Sequence, residues 1–256
     1  MTRNFVIFTL SLILPHPAFG QKSVSVKTIS ELERSVVPIV CGYVGESKAF
    51  QISQVVGAGF FVDTNGRFLT DAHVIASFPG MKTDHPCFGA IYIPDEGWSW
   101  KTFRPRFNFQ WFIIRNCQTD AIIDLAICQL VENPFTSKRV LRKNITIASF
   151  DTHTWPEGTP IAFTGFPLQS KAPISSKGFI GGFEIINENA GGFDYFVDKA
   201  AWPGASGSPL YLGNGKVVGI MRVAGENQAS GVSLARSSAT IVDFLSKHPY
   251  TANQKK

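Results

Sequence analysis

The sequence predicts a mostly β protein, either a sandwich or a barrel. Its 256 residues contain 23 glycines and 15 prolines, so turns recur along the whole chain. The short runs between them are rich in valine, isoleucine and phenylalanine, which favour strands. Helical patterns are sparse: a short charged turn at residues 30–34 and an amphipathic stretch at 239–247. Strand alternation alone does not separate a sandwich from a barrel.

The first 20 residues have the pattern of an export signal. Arg3 precedes an apolar run at residues 5–14, and a small-residue exit at 18–20 follows it. That run is too short to span a bilayer. We therefore expect cleavage before Gln21 and a secreted chain without a membrane span, extracellular or, in a Gram-negative bacterium, periplasmic.

Removal of this signal leaves a mildly basic chain of ordinary domain size. Taking 20 residues from 256 leaves 236, and the formal net charge falls from +5 to +4 because Arg3 is the only charge removed. So small a charge requires no anionic partner. Aromatic and basic residues mix at 98–112, but residues 107–111 alternate as an amphipathic strand does, so we predict no nucleic-acid binding.

The segment 200–210 holds a serine, Ser206, in a tight glycine-rich turn. Gly204 and Gly207 allow backbone conformations closed to other residues and leave backbone N–H groups uncovered. Ser206 is therefore a candidate nucleophile, with the N–H groups of Gly204 and Ser206 as a candidate oxyanion hole. Taken alone, the segment is also typical of a surface loop.

A serine nucleophile needs a base, and the base needs an acid that orients it. Among five histidines, His73 follows two apolar runs joined by an Asn-Gly turn at 65–66, a pattern that predicts a hairpin and thus a rigid support. Asp124 lies in an apolar run at 121–128, where a carboxylate requires a hydrogen-bond donor. Asp120, in polar surroundings, is the competing acid, and we favour Asp124.

The order His73, Asp124, Ser206 resembles that of trypsin-like serine proteases of the chymotrypsin fold. Three ordered motifs carry the resemblance, at residues 70–75 (TDAHVI), 124–127 (DLAI) and 204–210 (GASGSPL). The HtrA/Deg-type proteases match best, since residues 198–210 align in register with the pattern around their serine. Further segments agree with that family, at residues 35–40, 164–167 and 217–220.

The resemblance implies an all-β chain of two six-stranded antiparallel β-barrels with a short C-terminal helix. The protease domain would cover residues 35–248, with the N-terminal barrel at about 35–140 and the C-terminal barrel at about 150–238. The remaining parts would be the signal peptide 1–20, an N-terminal segment 21–34 and a tail 249–256. HtrA/Deg proteases usually carry a PDZ domain after this point, and we expect none here.

Two departures from the family pattern bear on activation and specificity. Ala205 stands where digestive trypsins carry an acid that pairs with a freed N-terminal amine on activation. We therefore expect an enzyme that is active without removal of an activation peptide. Ser208 is shared with the glutamyl endopeptidases, but Met221 stands where those enzymes carry a histidine. The predicted pocket is small and uncharged and favours cleavage after small or medium apolar residues; its residues are Ala200, Ala201, Met221 and Val223.

The function that the resemblance implies is that of a secreted serine endopeptidase acting on proteins or peptides. His73 would be the base, Asp124 would orient it, and Ser206 would form an acyl-enzyme, with no metal and no cofactor. The alternative is a binding protein of the same fold with weak or no catalysis. An α/β-hydrolase esterase is disfavoured because its triad runs in the opposite order.

Four cysteines in an exported chain permit disulfides. Three complete pairings are possible, and we favour Cys87 with Cys117 because they flank an inserted region. Cys41 and Cys128 lie in apolar strands and equally suit buried thiols. No pair has the Cys-x-x-Cys spacing of a zinc site.

Overall fold

Two closed antiparallel barrels of six strands each make up the fold, which confirms the predicted fold class. The computed structural model describes residues 23–46, 50–78, 88–94, 109–138, 145–170, 172–187, 192–222 and 231–251. The predicted signal peptide, Cys87, Val223 and most of the aromatic stretch 98–112 lie outside these residues.

The first barrel has the strand order β1-β2-β3-β6-β5-β4. Its strands are β1 (Val36–Val44), β2 (Phe50–Phe61), β3 (Arg67–Thr70), β4 (Phe88–Pro94), β5 (Phe109–Asp120) and β6 (Leu125–Leu130). All six residues of β6 are buried, including the polar Gln129, so this strand is covered on both of its faces.

The second barrel has the order β10-β11-β12-β9-β8-β7. Its strands are β7 (Pro160–Gly165), β8 (Ile174–Asn187), β9 (Gly192–Val197), β10 (Pro209–Tyr211), β11 (Val217–Arg222) and β12 (Ser233–Ser237). A 3-10 helix at Pro167–Gln169 follows β7.

Three short α-helices complete the described chain: α1 (Val26–Leu32), α2 (Ala72–Ala76) and α3 (Ser238–Lys247). Helix α1 starts earlier than the predicted turn because Ser25 caps it, its hydroxyl accepting from the N–H of Thr28 at 3.1 Å. Helix α3 matches the predicted closing helix. None of the described helices is long and apolar enough to cross a membrane.

The predicted hairpin before His73 is confirmed as β2 and β3. Phe60 pairs with Leu69, and the turn is closed by Asp63, whose carboxylate accepts from the N–H of Asn65 at 2.8 Å. Gly66 ends the turn at φ +80°, a value that favours glycine. Helix α2 starts two residues after β3 ends, so this rigid hairpin carries His73.

A continuous apolar cluster joins the two barrels. Phe60 and Leu125 come from the first barrel, Ile220 from the second, and Ile241 and Phe244 from α3, and all five are buried. Helix α3 therefore seals the interface between the barrels. The candidate residues of the site lie at the edge of this interface.

The expected pairing of Cys87 with Cys117 is wrong, because Cys117 is bonded to Cys128. Strands β5 and β6 are neighbours, and Gln118 pairs with Ile127. In an antiparallel pair the preceding and following residues then face each other, which brings the two cysteines together. Cys41 is also disulfide-bonded, so it is not a buried thiol.

Candidate active site

The structure brings His73, Asp124 and Ser206 together from three separate turns. His73 lies in α2 at the rim of the first barrel, and Asp124 lies in the turn between β5 and β6 at φ +53°. Ser206 lies in the turn before β10 of the second barrel. The three side chains thus meet where the barrels face each other.

Hydrogen bonds link the three side chains in series, from Asp124 through His73 to Ser206. His73 Nε2 lies 3.0 Å from Ser206 Oγ, and His73 Nδ1 lies 2.9 Å from Asp124 Oδ2. The backbone N–H of His73 also donates to Asp124 Oδ1 at 3.0 Å. A neutral imidazole with its proton on Nδ1 would donate to Asp124 and accept the hydroxyl proton of Ser206.

Asp120, the competing acid, has a different role. Its carboxylate accepts from the N–H groups of Ile122 and Ile123 at 2.9 and 3.2 Å. Asp120 therefore shapes the turn that presents Asp124, and Asp124 alone of the two contacts His73.

The turn around Ser206 leaves two N–H groups available. Within the described part of the chain, the N–H groups of Gly204 and Ser206 donate no hydrogen bond. Gly204 has φ +95°, and a Cβ there would lie 2.4 Å from the carbonyl oxygen of Phe166. Only glycine fits that position.

Gly207 packs the nucleophile turn against the first barrel. It has φ +82°, and a Cβ there would lie 2.0 Å from the carbonyl oxygen of Ala58. The N–H of Ala58 donates to the carbonyl oxygen of Ser206 at 2.8 Å. These contacts fix Ser206, from the second barrel, against β2 of the first.

The charges around the imidazole favour its protonated form. Burial lowers the pKa of His73, but the hydrogen bond to Asp124 and the charges of Asp71 and Asp124 outweigh it, so the pKa lies above its usual value. Burial raises the pKa of Asp124, yet its bonds to His73 prevail and leave that pKa below its usual value. The pair therefore suits a base whose cation is stabilised by an ionised acid.

Asp71 is a further carboxyl group at the site that the sequence did not indicate. It is completely buried, and its Oδ2 accepts from the N–H of Gly207 at 2.9 Å. Its Oδ1 has no hydrogen-bond partner among the residues that the structure describes. Burial raises the pKa of Asp71 well above its usual range, because no cation contacts this carboxyl directly among the described residues.

We expect Asp71→Asn to stabilise the fold increasingly as the pH rises. With its pKa raised on folding, Asp71 contributes stability that is complete below its unfolded pKa and lost as the pH rises through the folded pKa. Asparagine does not ionise, so the variant does not lose this stability as the pH rises. Its side-chain oxygen can still accept from the N–H of Gly207. The free energy of unfolding, measured with urea from pH 4 to pH 8, should increase in the variant relative to the wild type.

The control for Asp71→Asn is Asp243→Asn, which removes an exposed carboxylate from α3. Subtracting its effect on the free energy of unfolding removes the general consequence of losing one carboxylate. A difference between Asp71→Asn and the wild type that stays constant or shrinks toward pH 8 would contradict a pKa of Asp71 that burial raises.

Arg222 is the second residue that the sequence did not assign to the site. Strand alternation predicts that it points away from the face of Met221, and it does: its Nε donates to Asp124 Oδ2 at 3.2 Å. Its Nη1 donates to Asp194 Oδ2 at 2.8 Å. Asp194 is a charged residue within the apolar strand β9. A carboxylate in such a strand predicts a cation close to it, and this pattern could have pointed to Arg222.

The predicted pocket residues lie in or beside the core of the second barrel. Ala201 and Met221 belong to its buried cluster, and Met221 is fully buried. Ala200 is half-buried. Val223 lies outside the described residues.

Three groups at the site could in principle hold a metal ion, since Asp71, His73 and Asp124 offer ligand atoms within 4.8 Å of one another. His73 Nδ1 and Asp124 are already bonded to each other, and Asp71 is fully enclosed beside Gly207. Protein hydrogen bonds therefore account for this cluster without a metal.

A known family matches this chain in sequence, and solved structures match it in fold. A family model described as the trypsin-like peptidase domain matches residues 57–220. The crystal structure of Deg5 is similar with a TM-score of 0.60 and 19% identity, covering 85% of this chain and 90% of that one. No curated protein sequence matches.

A second solved structure gives the same result. The active form of the Rv3671c protease from M. tuberculosis is similar with a TM-score of 0.58 and 15% identity, covering 97% of this chain and 96% of that one. At these identities the likeness shows the fold, which agrees with the fold implied by the HtrA/Deg resemblance.

Proposed function

The chain belongs to the trypsin-like peptidase family, and we propose that it is an exported serine endopeptidase whose triad is His73, Asp124 and Ser206. The observation that carries the proposal is the unbroken line of hydrogen bonds from Asp124 through His73 to Ser206 Oγ. The family match supports the reaction class, and the geometry supports the assignment of its residues.

The proposed reaction begins with attack of Ser206 Oγ on the peptide carbonyl carbon. His73 Nε2 takes the hydroxyl proton as the bond forms, and Asp124 stabilises the resulting imidazolium. When the tetrahedral intermediate collapses, His73 returns the proton to the leaving amine. Water then gives a proton to His73 as it attacks the acyl carbon. When this second intermediate collapses, the ester bond to Ser206 breaks, His73 returns the proton to Ser206 Oγ, and the carboxylic acid is released.

The N–H groups of Gly204 and Ser206 would stabilise the negative oxygen of each tetrahedral intermediate. Their freedom from other acceptors in the described chain supports this role, because no existing hydrogen bond has to break first. Preorganised donors of this kind typically contribute on the order of 10²-fold or more each.

Export is proposed from the signal-like pattern at residues 1–20. The disulfide between Cys117 and Cys128 supports it, since disulfides persist mainly in oxidising compartments. A protease of this kind would act on proteins or peptides outside the cell or in the periplasm.

The proposed specificity is for small or medium apolar residues before the cleaved bond. Ala200 and Ala201 offer little bulk and no charge, and Met221 is buried in the same apolar cluster as Ala201. A peptide-library profile of the secreted protein should therefore be dominated by valine, alanine and leucine at that position.

The matched control for this profile is Ser206→Ala, which should give no cleavage above background. A profile dominated by lysine, arginine or glutamate would refute the proposed pocket while leaving the reaction class intact. Absence of any cleavage that depends on Ser206 would refute the proposed function itself.

A further inference from the structure

Four charged side chains form an alternating row that leads away from the triad. Asp124 contacts Arg222, Arg222 contacts Asp194, and Asp194 forms an ion pair with Arg236. The joining distances are 3.2, 2.8 and 2.8 Å in that order. Two carboxylates and two guanidinium groups balance one another, so the row carries no net charge.

The far end of the row is buried. Arg236 is fully buried, and it is the direct cross-strand neighbour of Asp194 on β9. The side chain of Asp194 is only 5% exposed. An ion pair enclosed in this way holds its geometry because either partner alone would be a costly buried charge.

Arg222 connects this buried ion pair to the triad. Its Nη1 is bonded to Asp194, and its Nε donates to Oδ2 of Asp124, the oxygen that also accepts from His73 Nδ1. The other oxygen of Asp124 accepts from the backbone N–H of His73. Three donors from two elements therefore fix the carboxylate, although Asp124 itself sits in a turn.

We propose that Arg222 is a positioning residue of the triad, which fixes the carboxylate of Asp124 and takes up part of the negative charge that would otherwise stabilise the imidazolium of His73. The proposal rests on the proposed function. Arg222 would thus hold the carboxylate of Asp124 in place and, at the same time, make His73 somewhat less basic.

The groups facing His73 determine the sign of the effect. They are Asp124 in the β5–β6 turn, Asp71 immediately before α2, and Arg222 on β11. The two carboxyl groups raise the pKa of His73, and the Arg222 charge lowers it. Loss of the Arg222 charge should therefore raise the pKa of His73 further.

The test uses Arg222→Gln and Arg222→Ala, which remove the charge, and Arg222→Lys, which keeps it. The acid limb of kcat/KM against pH should move to higher pH in the first two variants and stay near the wild type in Arg222→Lys. Above that limb, kcat/KM should fall about tenfold in Arg222→Ala, because alanine has no side-chain donor for Asp124. Lys177→Gln, an exposed change on β8, is the matched control.

An NMR titration of the His73 ring protons, in a Ser206→Ala background, makes the test independent of activity. An upward shift in the pKa of His73 with Arg222→Gln or Arg222→Ala would support the proposal. An unchanged His73 titration in both variants would overturn it. If the wild type hydrolyses no peptide, the proposed function fails, and the titration still decides the role of Arg222.

Discussion

Replacing Ser206 with alanine should lower kcat/KM on peptide substrates by on the order of 10⁶-fold. The variant loses the oxygen that attacks the carbonyl carbon, and His73 Nε2 then has no hydroxyl at 3.0 Å to deprotonate. Residual hydrolysis should come only from the oxyanion hole and substrate binding. Steady-state kinetics on a peptide chosen from the library profile measures the loss.

Ser208→Ala is the matched control, because it removes a hydroxyl two residues away in the same turn. The Ser208 Oγ is buried, and no residue in the described part of the chain forms a hydrogen bond with it. Its removal should leave kcat/KM within a few-fold of the wild type. Comparable losses in the two variants would mean that the turn, and not the Ser206 hydroxyl, is what the reaction needs.

Asp124→Asn should lower kcat/KM by about 10⁴-fold near neutral pH. An amide in place of the carboxylate offers N–H groups to His73 Nδ1 and so favours the tautomer with its proton on Nε2. That imidazole cannot accept the proton of Ser206. The change also removes the negative charge that stabilises the imidazolium, and kinetics at pH 7 measures the combined effect.

Asp120→Asn controls for a change of charge in the same turn. Asp120 contacts the N–H groups of Ile122 and Ile123 and does not contact His73. An asparagine oxygen can still accept from those groups, so activity should change only a few-fold. A loss under tenfold in Asp124→Asn would contradict the assignment of Asp124 as the orienting acid.

Local motifs were enough to predict much of the fold and the candidate site. The glycines around Ser206, the hairpin that leads to His73 and the apolar run around Asp124 are each short segments whose chemistry is legible without the rest of the chain. Their order along the sequence supplied the resemblance to a two-barrel fold. The structure then brings the three side chains within hydrogen-bonding distance of one another.

The contacts that sequence reasoning missed depend on strand register or on long separations. Arg222 lies 98 residues from Asp124 along the chain, and no local pattern links the two. The bond between Cys117 and Cys128 follows from the pairing of β5 with β6, which a composition-based reading cannot supply. Asp71 looks like an ordinary polar residue before a helix until its complete burial is known.

Ser206, as an activated nucleophile in a formed triad, should react with a fluorophosphonate. The measurement is treatment of the folded, secreted protein with that reagent, followed by mass-spectrometric mapping of the adduct. We predict a single adduct on Ser206 that is absent in Ser206→Ala and forms far more slowly in Asp124→Asn. No adduct on the folded protein, or an adduct on another residue, would contradict the claim and favour a protease-fold binding protein.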